Sequence, residues 1–206
     1  MTLRTLKYLS LFPLICCFSI AQGQSYEAGI SDYRKQYIND LLAEPRKPIQ
    51  QTDVKYIQFY PVDARYKVSA DFTPSPGATP FLIATHSGKQ KPFREFGTLT
   101  FIIHDSVQVL HLYQSINLVN SNNHNDELFI PFNDKTNYSA TFGGGRYIDI
   151  RESDIVNGHC VLDFNKCYNP YCAYAEGFSC PIPPSANHLY VAIPAGEKMF
   201  TKNIAY

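Results

Sequence analysis

The rhythm of apolar residues in this 206-residue chain changes once, at Pro45 and Pro48. From Ser25 to about Glu44, Ile30, Tyr33, Tyr37, Ile38, Leu41 and Leu42 recur at three- and four-residue steps, with Asp32, Arg34, Lys35 and Asp40 on the other side. That spacing places one apolar stripe along a helix. The prolines stop it, because the ring removes a backbone donor and clashes with the preceding turn. Beyond them the period becomes two, in segments rich in β-branched and aromatic residues that suit a pleated, half-buried surface.

Val54–Tyr60, Tyr66–Phe72, Phe81–Thr85, Thr98–Ile103, Val107–Tyr113, Leu128–Phe132, Arg146–Arg151, Cys160–Asn165 and His188–Ile193 all read as strands. Within them, Leu99, Phe101 and Ile103 share a face, as do Val107, Val109, His111 and Tyr113, while Ile148 and Ile150 point opposite to Tyr147 and Asp149. His104-Asp105-Ser106 is a tight connector, and Asn157-Gly158 is a hairpin signal because both residues tolerate positive φ. Ser121 to Asn125 reads as an exposed polar loop. No strand–helix–strand alternation occurs, which argues against a doubly wound fold. The expectation is mainly β: an antiparallel barrel or two-layer sandwich with one N-terminal helix.

Residues 1–23 have the pattern of an export leader. Arg4 and Lys7 give a positive start, Tyr8 to Ile20 an apolar core, and Ala21-Gln22-Gly23 the small residues a signal peptidase needs. The apolar run is too short for a transmembrane anchor and contains Pro13. The sequence therefore predicts a leader over 1–23, a helix and linker over 24–50, and a single β domain over 51–206. It places the protein in the periplasm or outside the cell, with no membrane span once the leader is gone. Of 18 basic residues, Arg4 and Lys7 leave with the leader while all 18 acidic ones stay, for a net charge of −2. Such a balance offers no broad field for nucleic acid.

Four cysteines remain after the leader: Cys160, Cys167, Cys172 and Cys180. In an oxidising compartment they are disulfide candidates, and four cysteines allow three pairings. Pairing of Cys172 with Cys180, and of Cys160 with Cys167, is one arrangement; a reactive Cys172 thiol is another. Their spacings of seven, five and eight residues do not match the short paired spacings of structural zinc sites. The sequence calls for no metal and no cofactor.

Gly143-Gly144-Gly145-Arg146 has two readings. It can bring backbone N–H groups close to a ligand beside an arginine that grips an anion. It can equally be a sheet corner with Arg146 paired to an acid. Asp149 and Asp163 flank the Asn157-Gly158 turn, and counting inward sets them across from each other. That would suit two-carboxylate hydrolysis, against an ordinary role as capping or paired acids. With 15 Tyr and 14 Phe, Tyr113, Tyr147, Tyr168, Tyr171 and Tyr174 suggest either an aromatic cleft for a sugar or small amphiphile, or core packing.

Several phrases in order, Phe59-Tyr60-Pro61-Val62-Asp63, Thr85-His86-Ser87-Gly88, Phe96-Gly97-Thr98-Leu99, Leu128 to Asp134, Phe142-Gly143-Gly144-Gly145-Arg146-Tyr147-Ile148-Asp149, Leu162-Asp163-Phe164-Asn165 and Tyr168 to Tyr174, followed by Cys180-Pro181-Ile182-Pro183-Pro184, resemble the bacterial family DUF1684. The resemblance runs from about Val54 to Glu197. Cys172 and Cys180 belong to the family's motif, and Cys160 and Cys167 do not; Tyr171 stands where the motif tends to carry proline. The family implies no established activity.

The residues favour a small-molecule binding protein, its ligand anionic or sugar-like. The expected face is Gly143, Gly144, Gly145, Arg146, Asp163, Asn165, Asn169 and Tyr174. A hydrolase using Asp149, Asp163 or Cys172 is the first alternative, and a structural or interaction domain of the envelope the second.

Overall fold

The computed structural model describes residues 14–119 and 126–202. The first part of the expected leader and the Ser121–Asn125 loop lie outside the described residues. A long helix, α1 (Leu14–Ala43), precedes seven strands: β1 (Lys67–Pro74), β2 (Phe81–Ala84), β3 (Gln90–Ile103), β4 (Ser106–Ser115), β5 (Glu127–Phe132), β6 (Arg146–Arg151) and β7 (His159–Asp163). A short helix, α2 (Ile116–Val119), follows β4.

The strands form one antiparallel sheet in the order β6-β5-β4-β3-β1-β7, with β2 also on β3, and the sheet curls into a half-barrel. Strand β3 organises it. Its first residues pair with β2 and its last with β1, on the same edge. The exchange happens at Gly97, beside a bulge against β4. A side chain there would sit 2.5 Å from the Thr73 carbonyl oxygen, so only glycine lets β1 approach at the bend.

One face of the sheet carries the core. Leu99, Leu110, Leu112, Leu128, Ile130, Phe132, Leu162 and Phe164 are fully buried there, together with Phe101, Ile103, Ile148 and Ile150. The period-two reading held on β3 and β6. On β4 the core face is Gln108, Leu110 and Leu112, whereas Val107 and Val109 are exposed. Helix α1 buries Ile30 and Leu41, and its C-terminal half packs on a separate cluster containing Ile49, Ile57, Tyr174 and Phe200.

Two expected strands have other conformations. Gln51–Tyr56 is a 3-10 helix, because the Asp53 carboxylate accepts from the Gln50 N–H at 3.0 Å and turns the chain tightly. His188–Ile193 is irregular. Its donors are taken individually: Leu189 N–H by the Asn133 carbonyl and Ile193 N–H by the Asp134 carboxylate at 3.2 Å. Its alternation still decides burial, with Leu189 and Ile193 inside and Tyr190 outside.

The expected relation of Asp149 to Asp163 also fails. Asn157 and Gly158, at φ 52° and 78°, do close a tight turn between Val156 and His159. However, a 3-10 turn at Glu152–Asp154 ends β6 first, and β7 crosses to pair with β1. Strands β6 and β7 lie at opposite ends of the sheet order, so the two aspartates are not cross-strand neighbours.

Candidate functional site

Strand β6 alternates cleanly: Ile148 and Ile150 enter the core, which turns Tyr147 and Asp149 to the other face. That face, the tyrosine side of α1 and the segment from Tyr168 to Pro181 enclose a cleft of about 780 Å³. Its wall is a chain of rings. Phe93 stacks on Phe129 (5.7 Å between centroids), Phe129 meets Tyr147 edge-on (4.7 Å), Tyr147 meets Tyr168 (5.8 Å), and Tyr168 meets Tyr37 of α1 (5.6 Å). Tyr171 and Phe178 pair on the same cleft at 5.2 Å. Such contacts hold rings in fixed orientations, and the volume is in the range of small-molecule sites.

Asp149 lines the cleft. Its carboxylate is accessible through the opening but otherwise surrounded by protein, and that loss of water pushes its pKa up to about 6. The Tyr168 hydroxyl donates to it and holds the rise back. Among the described residues no cation is paired with it.

Behind the tyrosine wall is a second acid. Glu197 is fully buried and accepts from the hydroxyls of Tyr174 (2.6 and 2.7 Å) and Tyr37 (3.0 Å) and from the Asn169 N–H (2.9 Å). Burial pushes its carboxyl up to about 7. Asn169 and Tyr174, expected on a ligand face, are thus occupied with Glu197 and tie the C-terminal segment to α1.

The remaining expected residues separate into structural groups. Arg146 is fully buried, paired with Asp134 at 2.7 Å, and donates to the carbonyls of Ala195, Ile193 and Glu197. The paired-arginine reading describes its contacts. Gly143, Gly144 and Gly145 are surrounded by protein: side chains there would strike Tyr138, His86 and Pro183 respectively. Asp163 accepts from the Tyr26 hydroxyl at 3.0 Å and caps the Asn165 N–H, which ends β7. Asn165 is fully buried and holds both backbone groups of Asp63. These residues fasten α1, the chain at Asp63 and the Ile193–Glu197 segment to the sheet. Of the expected site residues, Asp149 faces the cleft.

Cys172 and Cys180 are joined as a disulfide with Cα atoms 6.2 Å apart, so Cys172 is no free nucleophile in this state. The bridge closes the loop that carries Phe178 and Ser179, both cleft residues. Cys160 and Cys167 are not paired, contrary to the second bridge considered above. Cys160 faces the sheet core, while the Cys167 thiol donates to the Ala195 carbonyl at 3.4 Å. Burial pushes both thiols up to about 11. Among the described residues, no three His, Cys, Asp or Glu side chains gather as metal ligands.

Of the tyrosines that the sequence offered to either a cleft or core packing, Tyr147, Tyr168 and Tyr171 line the cleft, whereas Tyr113 and Tyr174 are buried in apolar clusters. The sequence assigned Tyr33 and Tyr37 to helix packing and passed over Arg46 and Lys91, which line the cleft too. Lys91 and Phe93 sit two apart on β3, facing the same way. That signal was present but had no partner in sequence to mark it.

The chain is similar to an uncharacterized protein of Haloarcula marismortui solved by solution NMR, with 27% identity and a TM-score of 0.62 over 86% of this chain and 100% of that one. No curated protein matches it. A family model described as "Protein of unknown function (DUF1684)" matches residues 52–198, which includes the sheet and the Tyr168–Pro181 segment but not α1 or Arg46, and the chain belongs to the DUF1684 family.

Proposed function

We propose that this is an exported protein that binds a small molecule in the cleft between α1 and the curled sheet. The observation that carries this reading is the continuous aromatic wall around Asp149, a carboxylate with no cation partner among the described residues. Rings offer flat apolar faces, and the carboxylate orients a donor on the ligand; few, well-placed polar groups in an aromatic cavity are what a binding site needs. Export is supported by the leader pattern of residues 1–23 and by the Cys172–Cys180 bridge. No helix among the described residues is long and apolar enough to cross a membrane.

The test is native mass spectrometry of the protein from its own host, followed by titration of whatever it retains into Asp149→Asn and Tyr168→Phe variants. A retained ligand that both variants bind at least about tenfold more weakly, the loss of one charge-assisted hydrogen bond, supports the cleft. Retention that is indifferent to both variants moves the site elsewhere.

The raised pKa of Asp149 favours one alternative, a hydrolase in which this carboxyl transfers a proton. Turnover of the retained molecule, abolished in Asp149→Asn, would select that reading over simple binding.

A further inference from the structure

Asp149 stands among aromatic side chains that the sheet itself sets around it. Phe129 is its direct partner across the β5–β6 pair, and Tyr147 lies two residues before it on the same face. The Tyr168 hydroxyl donates to the carboxylate. All four residues line the cleft. The Phe129 and Tyr147 rings meet at 73°, and the Tyr147 and Tyr168 rings at 88°. Rings set near right angles form adjoining walls, not a stack.

Elsewhere the chain covers its rings with its own cations: Arg34 lies over Phe59 at 4.6 Å and Lys67 over Tyr26 at 4.9 Å. Among the described residues, no Lys or Arg pairs with Asp149 or lies over Phe129, Tyr147 or Tyr168. Arg46 is committed to Glu44 at 3.2 Å and to the rings of Phe178 and Tyr171 at 4.6 and 5.7 Å. Lys91 is on β3, with β4 and β5 between it and β6. Arg151, two residues after Asp149, pairs with Asp126 at 2.9 Å and Glu127 at 4.0 Å. The charge that bears on Asp149 is that of Glu127, of the same sign.

The face of an aromatic ring carries partial negative charge, so rings around a carboxylate attract a cation and disfavour an anion. The expected anion grip is also spent, because Arg146 is paired with Asp134. We infer that the ligand is an organic cation, an alkylated ammonium seated among Phe129, Tyr147 and Tyr168 with its charge against Asp149. This rests on the cleft reading above and narrows it. Alkyl groups on the nitrogen spread the charge over a surface that packs on rings. They also weaken hydration, so entering the cleft costs less than for a bare ammonium.

The experiment is calorimetric titration of the full chain with choline, benzyltrimethylammonium and the uncharged alcohol in which carbon replaces the nitrogen of choline. At least one ammonium compound binds about tenfold or more tightly than the alcohol, as a cation partly desolvated against rings and a carboxylate predicts. Asp149→Asn removes that preference and leaves binding of the alcohol unchanged, a pattern that a folding defect does not give. Thermal melts confirm that the variant is folded. Alcohol binding as tight as that of both ammonium compounds overturns the inference and leaves the cleft reading standing, since the wall then takes any apolar group. A preference that survives in folded Asp149→Asn also overturns it. Binding of neither ammonium compound overturns it too, and a host ligand retained in native spectra and weakened by Asp149→Asn would then still preserve the cleft reading.

Discussion

Arg146 meets Asp134 at 2.7 Å, and neither side chain has any exposed surface. The same guanidinium donates to the carbonyls of Ala195 (2.5 Å), Ile193 (2.8 Å) and Glu197 (3.1 Å), and Asp134 also accepts from the Thr136 N–H at 2.7 Å. One cation therefore ties the β5–β6 connection to the C-terminal segment. A charge this deep is tolerable because its partner and hydrogen bonds replace lost water.

Removing the arginine leaves the buried Asp134 carboxylate without its cation and takes a donor from three carbonyls. Arg146→Ala should cost about 3–5 kcal/mol, the usual penalty for leaving half of a buried pair. Urea unfolding followed by tyrosine fluorescence measures it. A loss below about 1 kcal/mol, the value of an exposed pair, would contradict the burial described here.

Glu197 sets a pH dependence. Its carboxyl is raised from 4.5 to about 7 by burial, against the bonds from Tyr174 and Tyr37. Between those values the unfolded chain releases a proton that the folded chain keeps, so the unfolded state binds fewer protons and stability falls as pH rises. This contribution is fully present below about pH 4.5 and lost through about pH 7. Thermal melts across that window should show a downward slope that flattens in Glu197→Gln.

Asp149 should titrate near 6, and its bond from Tyr168 favours the charged form. Tyr168→Phe should therefore move the titration upward, read from the Asp149 carboxyl carbon by NMR. A downward move would mean that the hydroxyl does not donate to the carboxylate.

The disulfide closes a short loop, with a sequence separation of 8. Replacing Cys172 and Cys180 together by serine should remove about 2–3 kcal/mol, the chain-entropy value for such a loop. Ligand affinity should fall as well, because the bridge holds Phe178 against Tyr171. Without reduction, Cys160 and Cys167 should react with an alkylating reagent only after unfolding, and Cys172 and Cys180 not at all. Rapid labelling of Cys172 in the native protein would restore the nucleophile reading.

The helix and most of the sheet were legible in the sequence because burial follows local period. Leu99, Phe101 and Ile103 alternate with exposed positions whatever lies across from them. The turns were legible for the same local reason: His104 and Asp105, like Asn157 and Gly158, take positive φ values. Val54–Tyr60 misled because Val, Ile and Tyr suit either a strand or the wall of a cluster, and the Asp53 cap decided between them.

The site was less legible. Arg146 and the three glycines resembled a ligand grip, since a guanidinium beside permissive backbone is the same pattern whether its anion is a ligand or Asp134. Asp149 and Asp163 looked paired because sequence shows the turn between them and not the crossing of β7 to β1. By itself the sequence determined the leader pattern, the helix, the alternation of faces and the cysteines able to bridge, because each depends on neighbours a few residues away. The tertiary structure alone decided that Tyr37 reaches Glu197, that Arg46 and Lys91 line one cleft and that Asp149 opens onto its aromatic wall. Those relations join residues from α1, β3, β6 and the C-terminal segment, and only the curl of the sheet brings such distant segments within contact.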